Sequence, residues 1–174
     1  MRPGFSARAV AVLGVTAVVA VALDQWVKWL CTHHLTEGEP VKTLGGLLYL
    51  SLLRNSGAAF SFGSAHTWLF PVITLGVIGW IGWMATRLRS IPWALSLGLV
   101  LGGAFGNLGD RLFRAPGPFQ GHVVDMLSLF EPYGQHFAVF NVADSCLTVG
   151  VALAVLLELT GRQRDGSTAV KKAK

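Results

Sequence analysis

The chain alternates long apolar stretches with loops that are themselves half apolar. Four stretches stand out, at about 9–30, 68–86, 91–108 and 137–159. Each is close to the roughly 20 residues that a helix needs to cross a bilayer. Backbone polar groups in lipid must be satisfied within their own segment, so each stretch reads as a membrane-spanning helix. The first loop carries "VKTL", "GLLYLSLL" and "AAFSF", β-prone runs separated by Gly, Asn and Ser. These predict a small β-structure resting at the membrane surface. The second loop is broken by the Pro and Gly of "RAPGPFQG", and then "VVDMLSLF" returns an apolar face to the bilayer edge. The predicted fold class is an all-α membrane protein of four transmembrane helices, with a small β-structure in the outer loops. One domain spans 1–174, and its end, "GRQRDGSTAVKKAK" from Gly161, reads as a solvated, disordered tail.

The first stretch has a second reading. "MRPGFSAR" followed by an apolar run and Ala20-Val21-Ala22 has the outline of a cleavable signal peptide. The apolar face continues past Asp24 into "QWVKWL", which favours a retained helix.

Composition supports a membrane protein. Of 174 residues, 52% are hydrophobic and 13% charged, where a soluble domain carries about 25% charge. The net charge of +5 does not form a basic patch on a nucleic-acid-binding module, so nucleic acid is not an expected partner. The basic residues instead sort by side. Arg2, Arg8, Arg87, Arg89, Arg162, Arg164, Lys171, Lys172 and Lys174 fall on one side, and Lys28, Lys42, Arg54, Arg111 and Arg114 on the other. This asymmetry predicts cytoplasmic termini and two long outward loops. Trp26, Trp29 and Trp68 then suit the outer interface, and Trp83 and Trp93 the inner one. Gly98, Gly102 and Gly106 recur every four residues, a small-residue face for close helix packing. Cys31 and Cys146 read as two unrelated thiols.

Polar residues at membrane depth are functional candidates by default, and here they gather on the outer side. Asp24 and Lys28 are spaced to pair along one helix face. Asp110 and Arg111 suit the capping and anchoring of a helix end. Asn55 and Asn107 suit hydrogen-bonded cross-links. Asp125 in "HVVDML" and Asp144 in "NVADSC" are harder to account for, because each sits among apolar neighbours with no nearby Lys or Arg. A lone Asp at mid-helix costs roughly 2.5–3.5 kcal/mol; near a helix start Asp144 costs less.

If the two carboxylates meet, they cannot both ionise easily. One then serves as base for a water, and the other as acid for a peptide carbonyl or its leaving amine. That is aspartic peptide hydrolysis without metal or cofactor. Spacing alone does not decide it. His33, His34, His66, His122 and His136 all fall in the outer loops or beside them, and His122 with Asp125 could share a helix face. They lack an H-E-x-x-H pattern, however, and read as scattered interfacial histidines. Ser56, Ser61 and Ser145 lack a nucleophile setting. A transporter would need polar groups through the full membrane depth, and a structural adaptor would have no use for a polar cluster.

Five ordered motifs carry a resemblance. "DQWVK", "RNSGAAFS", "GGAFGNLGDR", "VVDM" and "FNVADS" resemble bacterial lipoprotein signal peptidase (signal peptidase II), over Asp24 to about Leu159. The resemblance implies an intramembrane aspartic endopeptidase of the inner membrane, with its site facing outward under a β-cradle. Its substrates would be prolipoproteins cut just before a diacylglyceryl-cysteine, and globomycin would block it. It implies catalytic roles for Asp125 and Asp144. Supporting roles would fall to Asp24, Lys28, Asn55, Gly57, Ala59, Asn107, Asp110, Arg111 and Asn141. Met126 stands where the family commonly has Phe, an apolar exchange expected to alter the shape of the pocket rather than the reaction. "KWLC" lacks a lipobox, so Cys31 is not a lipid attachment site. Membrane lipids are expected partners, and a self-contained bundle leads us to expect a monomer.

Overall fold

The fold comes from a computed structural model that describes residues 4–57 and 68–168. In chain order it has α1 (Ala7–His34), β1 (Val41–Thr43), β2 (Leu48–Asn55), α2 (Leu69–Ala85), α3 (Ile91–Phe113), β3 (Val123–Leu129) and α4 (Val142–Leu159). Three of the helices, α1, α3 and α4, are long and apolar enough to cross a membrane, and α2 is a shorter apolar helix. The strands form one antiparallel sheet in the order β1-β2-β3. The apolar runs "VKTL" and "GLLYLSLL" supply β1 and β2, as their composition predicts. "AAFSF" lies outside the described residues, as do Ala59, Ser61 and His66.

Helix α3 is the centre of the bundle and packs on α1, α2 and α4. Its glycines make this possible. A Cβ at Gly102 would lie 2.5 Å from the Ala20 Cβ and 2.8 Å from the Ala17 carbonyl oxygen, and one at Gly106 would lie 2.7 Å from an Asp24 carboxylate oxygen. Small residues therefore let α1 and α3 touch along their backbones. At one end of the bundle, Ala9, Leu13, Ile81, Met84, Leu88, Trp93 and Leu157 close an apolar core. At the other end, Cys31 of α1 packs with Leu52, Val124 and Met126 of the sheet. The sheet is thereby fastened to the outer end of α1.

Several expectations need correction. Helix α3 runs to Phe113 rather than stopping near 108, because Asp110 is neutralised by neighbours on α1 and needs no solvent. Helix α4 starts at Val142 rather than 137: Asn141 caps it, and Phe140 is held in a bridge to Leu127. "VVDMLSLF" is a strand. His122 precedes that strand, and positions three apart in extended chain face opposite ways, so His122 and Asp125 share no helix face. Trp93 is not an interfacial belt residue. It is 4% exposed and donates from its indole nitrogen to the Arg162 carbonyl at 2.7 Å. Finally, residues 161–168 are folded back, with the Arg164 carbonyl accepting from the backbone N–H of Arg89 (2.9 Å) and Ser90 (3.0 Å). The remaining tail lies outside the described residues.

Candidate active site

The two conspicuous aspartates come from different elements. Asp125 lies mid-strand in β3, opposite Leu53 of β2. Asp144 is the third residue of α4, in a capping box with Asn141. The Asn141 side-chain oxygen accepts from the Asp144 N–H at 2.9 Å, and the Asp144 carboxylate accepts from the Asn141 N–H at 3.2 Å. Asn141 is buried and also reaches the other aspartate: its amide nitrogen donates to Asp125 Oδ1 at 2.7 Å. One asparagine therefore ties the two carboxylates together. Both open onto a cavity of about 340 Å³, shared with Asn55, Asn107 and Arg111 and walled on one side by Phe70 of α2.

Two further asparagines complete the inner ring. Asn55 donates to Asp125 Oδ2 at 2.9 Å, while its own oxygen accepts from the Gly57 N–H at 2.7 Å. Gly57 has φ +96°, and a Cβ there would lie 2.6 Å from the Phe70 ring, so both the turn and the wall require glycine. Asn107 donates to Asp144 Oδ1 at 2.7 Å and accepts from Asn141 at 3.0 Å.

Behind this ring lies a charged hub. The Lys28 ammonium, fully buried, meets Asp24 and Asp110 at 2.8 Å each and Asn107 at 3.1 Å. Its three N–H donors are thus all used. The two hub carboxylates then reach forward. Asp24 accepts from the Ala143 N–H at 2.9 Å, and Asp110 accepts from the Val124 N–H at 3.1 Å. Each therefore holds the backbone amide one residue before a cavity aspartate. Asp24 and Lys28 pair as expected, but Asp110 is 1% exposed and acts as an interior acceptor rather than an interfacial cap. Arg111 is likewise buried. Its guanidinium lies 5.0 Å from the centre of the Phe70 ring and donates to the carbonyls of Ser56 (3.4 Å) and Gly121 (3.3 Å).

Sequence reasoning missed Gln25 and gave Arg114 only a place on the outer side. The Gln25 amide nitrogen, with two N–H donors, lies 3.1–3.2 Å from Asp24, the Gly106 carbonyl and Asp110 and is shared among them, and Arg114 pairs with Asp110 at 2.6 Å. The i,i+4 spacing of Asp110 and Arg114 was the available signal.

Burial is the main influence on Asp125. It pushes the carboxyl up to about 6, against the hydrogen bond from Asn55 and with help from the nearby Asp144 charge. The folded value exceeds the usual 3.8, so ionising this group opposes folding. The effect is absent below about pH 4 and complete above about pH 6. Among the described residues, no three His, Cys, Asp or Glu come together in a way that could hold a metal. His33 and His136 instead bond locally, to the Trp29 carbonyl and to Glu131.

The sequence matches the model of the family described as signal peptidase (SPase) II over residues 16–160. The chain belongs to the signal peptidase II family. A lipoprotein signal peptidase of Streptomyces coelicolor is 48% identical over 160 residues, covering 92% of this chain and 76% of that protein. One from Mycobacterium tuberculosis is 47% identical over 149 residues, covering 86% and 71%. A solved bacterial membrane enzyme superposes with a TM-score of 0.75 at 26% identity, covering 91% of this chain and 97% of its own. As a signal peptidase II, the chain is a multi-pass membrane peptidase, and the four-helix bundle with its three-stranded sheet is the fold it shares with that enzyme.

Proposed function

We propose that Asp125 and Asp144 are the catalytic pair of an aspartic endopeptidase. Its substrates would be diacylglyceryl-modified prolipoproteins, cut just before the lipidated cysteine. The observation that carries this reading is two carboxylates from different elements, joined through Asn141 and opening on one cavity. The ionised member takes a proton from water as that water attacks the scissile carbonyl carbon. The protonated member gives its proton to the carbonyl oxygen, leaving a gem-diol. On collapse the carboxyl that took the water's proton passes it to the departing cysteine nitrogen, and the other carboxylate takes a proton back from the diol, which restores the pair. A raised Asp125 supports sharing of one proton between the pair.

The supporting roles follow the contacts. Asn55, Asn107 and Asn141 orient the carboxylates. Asp24, Lys28 and Asp110 position the backbone that carries them. Arg111 and Gly57 shape the cavity wall. Ala59, implied by the resemblance, lies outside the described residues. The enzyme would sit as a monomer in the bacterial inner membrane, among its lipids, with cytoplasmic termini and the site facing outward. The lysine and arginine asymmetry supports that orientation. Globomycin would inhibit it.

The test is direct. The full chain, incubated with a diacylglyceryl-modified prolipoprotein, should yield a product whose N-terminus is the lipidated cysteine, with or without metal chelators. Cleavage elsewhere, or activity lost to chelators and restored by zinc, would remove the proposal. The pH profile offers another check. Asn55→Ala removes the main hydrogen bond that lowers the Asp125 value, so the inflection of kcat/KM near pH 6 should move to higher pH, by up to about one unit. An inflection that stays in place would detach Asp125 from the rate.

A further inference from the structure

At the opposite end of the bundle from the aspartates, the refolded segment 161–168 clasps the turn between α2 and α3. It borders an open cavity of about 220 Å³, lined by Trp83, Met84, Arg87, Gln163, Arg164 and Asp165. Two guanidinium groups flank it, each held over an indole: Arg87 is 5.4 Å from the centre of Trp83 and Arg164 is 5.0 Å from that of Trp93. Such stacking fixes the direction of a side chain that would otherwise roam.

From this geometry we infer that the Arg87–Gln163–Arg164 cavity binds the phosphate of an anionic phospholipid. Four cations lie on this clasp and turn: Arg87, Arg89, Arg162 and Arg164. They face two carboxylates, Glu158 and Asp165. Glu158 meets Arg164 only at 3.6 Å, between exposed side chains. Asp165 accepts from the Ser167 N–H at 2.8 Å and keeps its charge beside Arg89, so it offsets one of the four cations. Arg87 has no carboxylate within ion-pairing distance among the described residues. A positive excess therefore remains, and guanidinium is the cation best suited to phosphate oxygens.

A lipid is the occupant that fits the surroundings. The cavity sits at the C-terminal end of α2, beside the turn into α3, an end that the lysine and arginine asymmetry assigns to the inner membrane face. Trp83, 58% exposed, and Trp80, 54% exposed, continue from it along α2 as an apolar flank for acyl chains. Basic pockets between helices at a membrane face favour anionic headgroups in this way. The inference does not depend on the catalytic assignment, because the site lies at the other end of the bundle.

Native mass spectrometry of the purified full chain, titrated with phosphatidylglycerol or phosphatidylcholine, tests it. Phosphatidylglycerol should bind preferentially, and the R87Q/R164Q variant should lose that preference by roughly tenfold or more. Arg8→Gln, an exposed cation of the first turn of α1, should leave it unchanged. Equal binding of the two lipids, a preference that survives R87Q/R164Q, or an equal loss in Arg8→Gln would overturn the inference. Displacement of phosphatidylglycerol by an equal concentration of inorganic phosphate would overturn the lipid assignment in favour of free phosphate.

Discussion

Asp125→Asn and Asp144→Asn should each reduce prolipoprotein cleavage to background, a loss of at least roughly 10²-fold, the lower end of what a positioned acid or base supplies. Asn is nearly isosteric, so the fold should be kept, although each exchange turns one accepted hydrogen bond into a donor facing a donor. At position 144 the amide oxygen can still accept from the Asn141 N–H and keep the start of α4 closed, while the bond from Asn107 is lost. At position 125 both carboxylate oxygens accept from amide nitrogens, of Asn55 and Asn141, so the new amide NH2 meets a donor; relief of the buried charge offsets this, and the variant should melt within a few degrees of the native chain at pH 7. The double variant should be no slower than either single one, because the two groups act as a unit. Substantial turnover by either single variant, with the fold intact by circular dichroism, would remove that residue from the pair.

The second large effect falls on Lys28. Lys28→Met leaves Asp24 and Asp110 buried without their shared cation, and breaking a buried ion pair from one side costs roughly 3–5 kcal/mol. Thermal melting in detergent should show this directly. Activity should fall with it, since the same two carboxylates hold the Ala143 and Val124 amides ahead of the aspartates. Adding Asp24→Asn and Asp110→Asn to Lys28→Met should recover much of the stability, because no unpaired buried carboxylate then remains, both amides keep an acceptor, and Arg114, which loses Asp110, is partly exposed to solvent. A Lys28→Met variant that melts like the native chain would contradict the buried hub.

The helices were legible because hydropathy in lipid is strongly constrained: four apolar stretches became four helices. Their ends were not. Asp110 and Arg111 do lie in the last turn of α3, as a helix end would have them; that Asp110 serves as an interior acceptor was not legible, because its partner Lys28 lies about 80 positions away in sequence. From the sequence Asn141 is only a supporting residue; its role as a cap, with a second bond to β3, depends on a strand that periodicity did not show. The pairing of Asp24 with Lys28 was readable because it is local, at i,i+4. The role of Gln25 was not, since its partners are three groups from two helices. The refolding of residues 161–168 escaped composition altogether, because backbone carbonyls, which carry no sequence signal, make its main contacts.

The central claim is that Asp125 and Asp144 act together on one scissile bond. It is tested most directly by an experimental structure of the chain bound to a lipopeptide whose scissile amide is replaced by a hydroxyl-bearing tetrahedral mimic. The account predicts the hydroxyl between the two carboxyls, within about 2.6–3.2 Å of an oxygen of each. A hydroxyl bonded to one carboxyl, with the other turned away and out of reach, would contradict it.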